Sequence, residues 1–94
     1  MAEILVTEAD GRYDVTLTDG ASTSRHEVRV SAADLAQLGL DGCDPRLVVE
    51  ESMRFLLERE PKESILATFD LETIRGFFPI YADEIRRRMA GERD

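Results

Sequence analysis

The chain contains one cysteine, Cys43, and one histidine, His26, and these two residues are the best suited to nucleophilic chemistry. A cysteine attacks as a thiolate, and a neighbouring histidine can act as the base that removes its proton. Catalysis of this kind also needs a third group that orients the histidine, and no such pattern surrounds either residue. We therefore interpret Cys43 as a structural thiol and His26 as a histidine at the edge of a sheet, and we expect no enzyme activity.

Other sequence patterns that would carry catalysis or hold a cofactor are absent. A zinc site needs about four Cys, His or acidic ligands at close spacing, and no such cluster occurs. The six glycines are scattered rather than gathered into a loop that cradles phosphate. Glu50 and Glu51 are adjacent, as are Asp83 and Glu84, but adjacent residues of a helix point in different directions and do not form a catalytic pair. We expect neither a metal nor a cofactor.

Two groups of residues near the C-terminus have the types that contact partners. Three consecutive arginines form a small basic patch, which suits either an acidic or phosphate-bearing partner or the negative end of a helix. Aromatic and aliphatic residues gather around Pro79, where they either close the core or leave an exposed apolar patch for a partner. The predicted interaction surface comprises Phe77, Phe78, Ile80, Tyr81, Arg86, Arg87 and Arg88.

The charge of the chain restricts the kind of partner. The 94 residues include 20 acidic and 12 basic side chains, for a net charge of −8. Residues 1–44 alone hold nine acidic and three basic residues. Such an excess repels phosphate backbones, so we do not expect nucleic-acid binding. It would attract a basic protein, and an acidic mimic of nucleic acid, or an antitoxin-like inhibitor that covers a basic surface, is the alternative function.

Several features of the composition predict a cytoplasmic protein. A single cysteine cannot form an intramolecular disulfide, which fits a reducing compartment. The N-terminus lacks the basic and apolar regions of a signal peptide, and no apolar run approaches the length of a membrane span. All the basic residues except Lys62 are arginines, as is typical of proteins from GC-rich bacterial genomes.

The first third of the chain predicts an antiparallel sheet. Three runs are rich in strand-forming residues: Ile4–Glu8, Tyr13–Thr18 and His26–Val30. Asp10-Gly11 between the first two is a strong hairpin sequence. Tyr13, Val15 and Leu17 alternate with polar residues and should face the core. A meander of three strands has two open edges, and pairing one of them with a second subunit would give a homodimer.

The longest helix is predicted over Asp44–Pro61. Asp44 suits the N-cap, and Pro45 suits the first helical position because its missing N–H has no partner there in any case. Pro61 cannot continue the helix. The apolar residues fill an arc of roughly 200°, so we expect this helix to be covered on two sides, by the sheet and by other helices.

Shorter helices should flank this central one. Ser31 and Asp34 match a capping box, which predicts a helix over about Ala32–Leu38 with Gly39 directly after it. After Pro61 we expect a turn or two of helix within Lys62–Thr68, a helix from Asp70 to about Phe77, and a last helix with Tyr81, Ile85 and Met89 on one face.

One segment of the chain has a recognisable pattern. The run Glu58-Arg59-Glu60-Pro61-Lys62-Glu63-Ser64-Ile65-Leu66, followed by Phe69-Asp70-Leu71, Ile74, Phe78-Pro79 and Tyr81, resembles short uncharacterised bacterial proteins in which an EREP-ESIL segment leads into FDL, I, FP and Y. The resemblance covers about the last 50 residues. It implies a self-contained small domain and brings no catalytic residue, cofactor or named partner.

Together these observations predict an α+β fold in which a three-stranded antiparallel β-meander is followed by about four helices packed on one face. We expect a single domain over residues 1–94, with the meander in 1–30, the helices in 31–91 and a frayed tail at 92–94. The predicted function is non-enzymatic and cytoplasmic, through contacts with a protein partner or through a homodimer, and without a membrane.

Overall fold

A four-stranded sheet and four α-helices make up residues 3–92, the part of the chain that the computed structural model describes. The strands are β1 (Glu3–Ala9), β2 (Arg12–Asp19), β3 (Ser22–Arg29) and β4 (Thr68–Asp70). The helices are α1 (Ala32–Gln37), α2 (Pro45–Leu57), α3 (Leu71–Phe77) and α4 (Tyr81–Glu92), with a short 3₁₀ turn at Lys62–Ser64. The α+β class predicted from the sequence is confirmed.

The first three strands form the predicted antiparallel meander. Asp10 and Gly11 both have positive φ angles, 48° and 80°, as a two-residue hairpin turn requires. The register places Val6 opposite Val15, and Val15 opposite His26, on the face that the helices cover. The opposite face is largely exposed, so the sheet is apolar on one side and polar on the other.

The sheet has a fourth strand that the sequence did not predict. β4 lies beside β3 and runs parallel to it, with Val28 opposite Phe69. The backbone N–H of Glu27 also donates to the carbonyl of Ala67 at 2.7 Å. The expectation of helix through Lys62–Thr68 is therefore wrong beyond the short 3₁₀ turn, because pairing with β3 draws the following residues into an extended conformation.

Local sequence explains where α1 and α2 begin. Ser31 and Asp34 form the predicted capping box, in which the Asp34 N–H donates to Ser31 Oγ at 3.0 Å and the Ser31 N–H donates to Asp34 Oδ2 at 3.2 Å. Asp44 caps α2 by accepting the N–H of Arg46 at 3.0 Å. α2 ends at Leu57, four residues before Pro61 and earlier than predicted.

The core lies between the inner face of the sheet and the helices, and α2 runs through its centre. α2 packs against β1 on one side and against α4 on the other, as the wide apolar arc predicted. Phe55, Met53, Val48 and Val49 have no exposed surface. Even the polar Ser52 is buried, because α2 is enclosed on both flanks.

The last two helices close over α2. Asp70 caps α3 by accepting the N–H of Thr73 at 2.9 Å. Tyr81, Ile85 and Met89 form the predicted buried stripe of α4. α4 continues to Glu92, and the other two residues of the predicted frayed tail lie outside the described residues. Within residues 3–92, none of the helices combines the length and the apolar character needed to span a bilayer.

Candidate interaction site

An apolar groove opens between the C-terminal end of α2, the 3₁₀ turn, β4 and α3, with a volume of about 340 Å³. Its floor consists of core residues, among them Leu56, Phe69 and Ile74, which are at most 7% exposed. Leu66 and Phe77 stand at its rim and are 49% and 68% exposed. Apolar walls around an accessible cleft are the usual features of a site that binds another molecule.

The exposure of Phe77 follows from where α3 ends. Phe77 is the last residue of the helix, and the backbone of Phe78 is already extended. The two neighbouring phenylalanines consequently point in different directions. Phe78 packs edge-on against Phe55, with ring centroids 5.8 Å apart, while Phe77 remains at the rim of the groove. Ile80, in the turn before α4, is also exposed, at 57%.

The aromatic and aliphatic residues of the predicted interaction surface differ in their exposure to solvent. Phe77 and Ile80 are exposed and Phe78 is half-buried. Tyr81, the first residue of α4, has no exposed surface and belongs to the core. The centroid of its ring lies 5.3 Å from that of Phe55. Its inclusion in a surface for a partner is corrected accordingly.

The three consecutive arginines are engaged within the domain. Arg86 is paired with Asp83 and donates to the carbonyl of Leu38 at 3.1 Å, and Arg87 is paired with Glu84 at 2.9 Å. Arg88 is only 17% exposed and binds Glu84 on its own helix at 3.0 Å. Arg88 also reaches the C-terminal end of α2, where it donates to Glu58 at 2.6 Å. These arginines join parts of the fold, and none presents an uncompensated charge to a partner.

The Glu58–Arg88 pair predicts a dependence of stability on pH. The hydrogen bond from Arg88 lowers the pKa of the Glu58 carboxyl. Its stabilising effect is therefore present above the ordinary pKa of glutamate, about 4.3, and is lost as the pH falls through the lower folded value. Glu58→Gln should reduce the unfolding free energy by less than about 1 kcal/mol near neutral pH, because the pair is partly exposed.

Urea unfolding followed by circular dichroism across the acidic range measures this effect. The difference between the wild type and Glu58→Gln should shrink as the pH falls. Glu60→Gln is the matched control, because Glu60 has no described cation within 4 Å and should show no such pattern. A constant difference at every pH would contradict the assignment.

His26 and Cys43 are placed differently from a catalytic pair. His26 is 6% exposed, with Nε2 2.9 Å from the hydroxyl of Ser24 and Nδ1 2.7 Å from the carbonyl oxygen of Leu66. Because a carbonyl only accepts, Nδ1 carries the proton in this bond. Both ring nitrogens are thus engaged, and the Nδ1 bond links β3 to the segment that leads into β4. Cys43 is half-buried in the loop before α2.

The charged side chains of the described residues are unevenly paired. Every described lysine or arginine except Arg25 lies within 4.0 Å of a carboxylate oxygen. Several acidic residues have no such partner, including Glu60 at the groove and Glu3 and Glu8 on β1. The uncompensated charge on the surface is therefore almost entirely negative. Among the described residues no group of three acidic, His or Cys side chains is arranged to hold a metal ion.

Sequence reasoning found Phe77 but missed Leu66 and Glu60 as part of the same site. The only indication was the Glu58–Leu66 run, which carries the family-like pattern and contributes four of the residues that line the groove: Glu60, Ser64, Ile65 and Leu66. No family model, curated protein or solved structure matches this chain. The interaction site is therefore inferred from the geometry and charge of the chain itself.

Proposed function

We propose that this domain binds a partner protein and that the apolar groove receives one or two large apolar side chains of that partner. The observation that carries the proposal is the exposure of Leu66 and Phe77 around a cleft of about 340 Å³ whose floor is the core. Large exposed apolar side chains grouped in this way are uncommon on a monomer and mark interaction sites. Their burial by a partner would contribute about 25 cal/mol for each Å² removed from water.

The charge at the groove supports a basic partner. Glu60 lines the groove and has no described cation within 4 Å, and the whole chain carries a charge of −8. A partner that places Lys or Arg beside its apolar anchors would complement both features. Complementary charge of this kind raises the rate of association and selects among partners more than it raises affinity.

A non-enzymatic role fits the environment of the residues best suited to chemistry. The ring nitrogens of His26 are both engaged in hydrogen bonds, one of them to a backbone carbonyl. Nucleophilic cysteines are commonly activated by an adjacent base such as histidine. His26 is not free to act as that base, so we propose binding rather than catalysis.

The same distribution of charge supports a second candidate, an inhibitor that covers a basic surface of another protein. Its support is the set of carboxylates on β1 and at both hairpin turns of the sheet that have no described cation within 4 Å, none of which lines the groove. Binding of this kind would be dominated by charge, so it would weaken steeply with salt and would not require Phe77.

Selection from a library of random phage-displayed peptides tests the proposed function. Peptides selected on the wild-type domain should share one or two large apolar residues next to Lys or Arg. Phe77→Asp should weaken their binding by about tenfold or more, since a central aromatic residue often carries most of the affinity. Ile80→Asp is the matched control, because Ile80 is also a large exposed apolar residue, at 57%, but does not line the groove.

Two results would count against the groove. Selected peptides without apolar residues would indicate that charge alone drives binding, as the inhibitor candidate requires. Peptides that bind Phe77→Asp and the wild type equally well would place the contact elsewhere. Melting temperatures of both variants, measured in parallel, ensure that lost binding is not lost folding.

A further inference from the structure

The outer edge of β1 is an open strand edge. The strands are ordered β1-β2-β3-β4, so β1 is bonded to β2 on one side only, and within residues 3–92 nothing pairs with its other side. β4 covers only Glu27–Arg29 of the opposite region of the sheet. Open edges present unpaired backbone N–H and C=O groups, and proteins usually protect them with charged side chains, Pro or a bulge. β1 spans Glu3–Ala9 without Pro or a bulge, and its charged residues, Glu3 and Glu8, stand near its ends.

The middle of this edge is apolar on both faces. Leu5 points to the outer face of the sheet and is 64% exposed. Ile4 and Val6, on either side of it, face the core, and Val6 is buried there. A strand added beside β1 would therefore gain apolar contacts at its centre as well as backbone hydrogen bonds.

Both ends of the β1 edge are acidic. Glu3 lies opposite Thr18, next to Asp19 in the second hairpin, while Glu8 is followed by Asp10 in the first hairpin. All four carboxylates are exposed, and none has a described cation within 4 Å. The unpaired Arg25 lies two strands away, since the register runs from Leu5 through Thr16 to Arg25. The edge is thus an apolar centre between two acidic ends.

We propose that β1 takes up an extended basic segment of a partner protein as a fifth strand of the sheet. Backbone hydrogen bonds would supply most of the affinity, as in other cases of strand addition. Lys or Arg at both ends of the segment would pair with the acidic ends of β1, and small apolar or β-branched residues between them would lie beside Leu5.

A second copy of the chain fits the same edge less well. Antiparallel pairing of two β1 strands around Leu5 sets Glu3 of one copy opposite the uncharged Thr7 of the other, so this pairing supplies no cation to the acidic ends of either strand. Each copy also carries a charge of −8, so the acidic ends select a basic segment over self-association.

This surface is separate from the apolar groove. The groove lies beside β4 and β1 is at the other edge of the sheet, three strand spacings or about 14 Å away. Strand addition at β1 therefore goes beyond the proposed function of the groove, and each can fail without the other.

Titration of the full chain with a synthetic peptide tests the proposal. The probe is a peptide of alternating Thr and Val with two Arg residues at each end, added to uniformly ¹⁵N-labelled protein and followed by NMR. The largest amide shifts should fall on Glu3–Ala9, and exchange of those amides with solvent should slow. The control peptide has the same side chains with alternate backbone nitrogens methylated, which removes donors and blocks pairing. It should bind about tenfold more weakly or worse.

Two protein variants separate the contribution of the acidic ends of β1 from any contribution of the groove. Glu3→Gln combined with Glu8→Gln should weaken binding of the peptide about three- to tenfold, and both sites are exposed, so the fold is preserved. Phe77→Asp should bind the peptide as the wild type does, which keeps this test independent of the groove.

Three outcomes would overturn the inference. Shifts centred on Leu66 and Phe77 would place the peptide in the groove. Equal binding of the methylated peptide would show that side-chain contacts, and not backbone hydrogen bonds, carry the affinity. A dimer by light scattering, with Glu3–Ala9 amides protected before any peptide is added, would assign the edge to a second copy.

Discussion

Replacing Phe55 with alanine should lower the free energy of unfolding by about 3–5 kcal/mol, the usual cost of removing a fully buried phenylalanine. Phe55 has no exposed surface, and its ring meets the edges of Phe78 and Tyr81 at centroid distances of 5.8 and 5.3 Å. The guanidinium of Arg59 also lies 3.7 Å from its centroid, so the variant loses a cation–π contact as well. Chemical denaturation followed by circular dichroism measures the loss.

Phe77→Ala is the matched control for this prediction. This substitution also removes a phenyl ring, but from a side chain that is 68% exposed. It should change the unfolding free energy by no more than about 0.5 kcal/mol. Comparable losses in both variants would contradict the placement of Phe55 at the centre of the core and of Phe77 at its surface.

Ser52→Ala should destabilise the domain more than Tyr81→Phe, although both remove a single oxygen. Ser52 donates to the carbonyl of Val48 at 2.6 Å, so the hydroxyl of Tyr81, 2.6 Å from Ser52 Oγ, acts as the donor between them. Burial raises the pKa of Tyr81, which keeps this hydroxyl protonated. Without Ser52 it becomes a buried donor with no partner, at a cost of about 1–3 kcal/mol.

Tyr81→Phe should cost only about 0.5–1.5 kcal/mol, because Ser52 still donates to Val48. The double variant should lose less than the sum of the two single losses, since phenylalanine removes the group that Ser52→Ala leaves unpaired. A double-mutant cycle from denaturation curves tests this order. Additive losses, or a larger loss for Tyr81→Phe, would show that the hydroxyls are not coupled as described.

The elements predicted correctly from sequence are those that short segments specify on their own. The hairpin turn at Asp10-Gly11, the capping box at Ser31 and the N-cap at Asp44 depend only on neighbouring residues. β4 was missed because its conformation depends on β3, which lies about 40 residues earlier. A run of three strand residues after a 3₁₀ turn has too little periodicity to be distinguished from a helix.

The candidate site could be predicted only in part, because it too depends on contacts between residues that are distant in the chain. The cluster of aromatic residues around Pro79 left open whether these residues close the core or stay exposed, and the structure exposes Phe77 but buries Tyr81. Sequence alone could not show that Tyr81 faces Ser52, or that Arg88 is paired with Glu58 at the end of α2. β4 forms one side of the groove. Because the sequence did not predict this strand, it also did not predict that Leu66 lies at the rim of the groove.

The position of β4 in the chain has a consequence during synthesis of the protein. β3 is complete at Arg29, but the strand that covers its edge ends at Asp70. On the ribosome the growing chain therefore lacks the strand that covers Glu27–Arg29 until the later segment emerges, and unpaired strand edges make incompletely folded chains prone to aggregation. Residues 1–44 carry nine acidic and three basic side chains, and this like charge opposes association between neighbouring nascent copies.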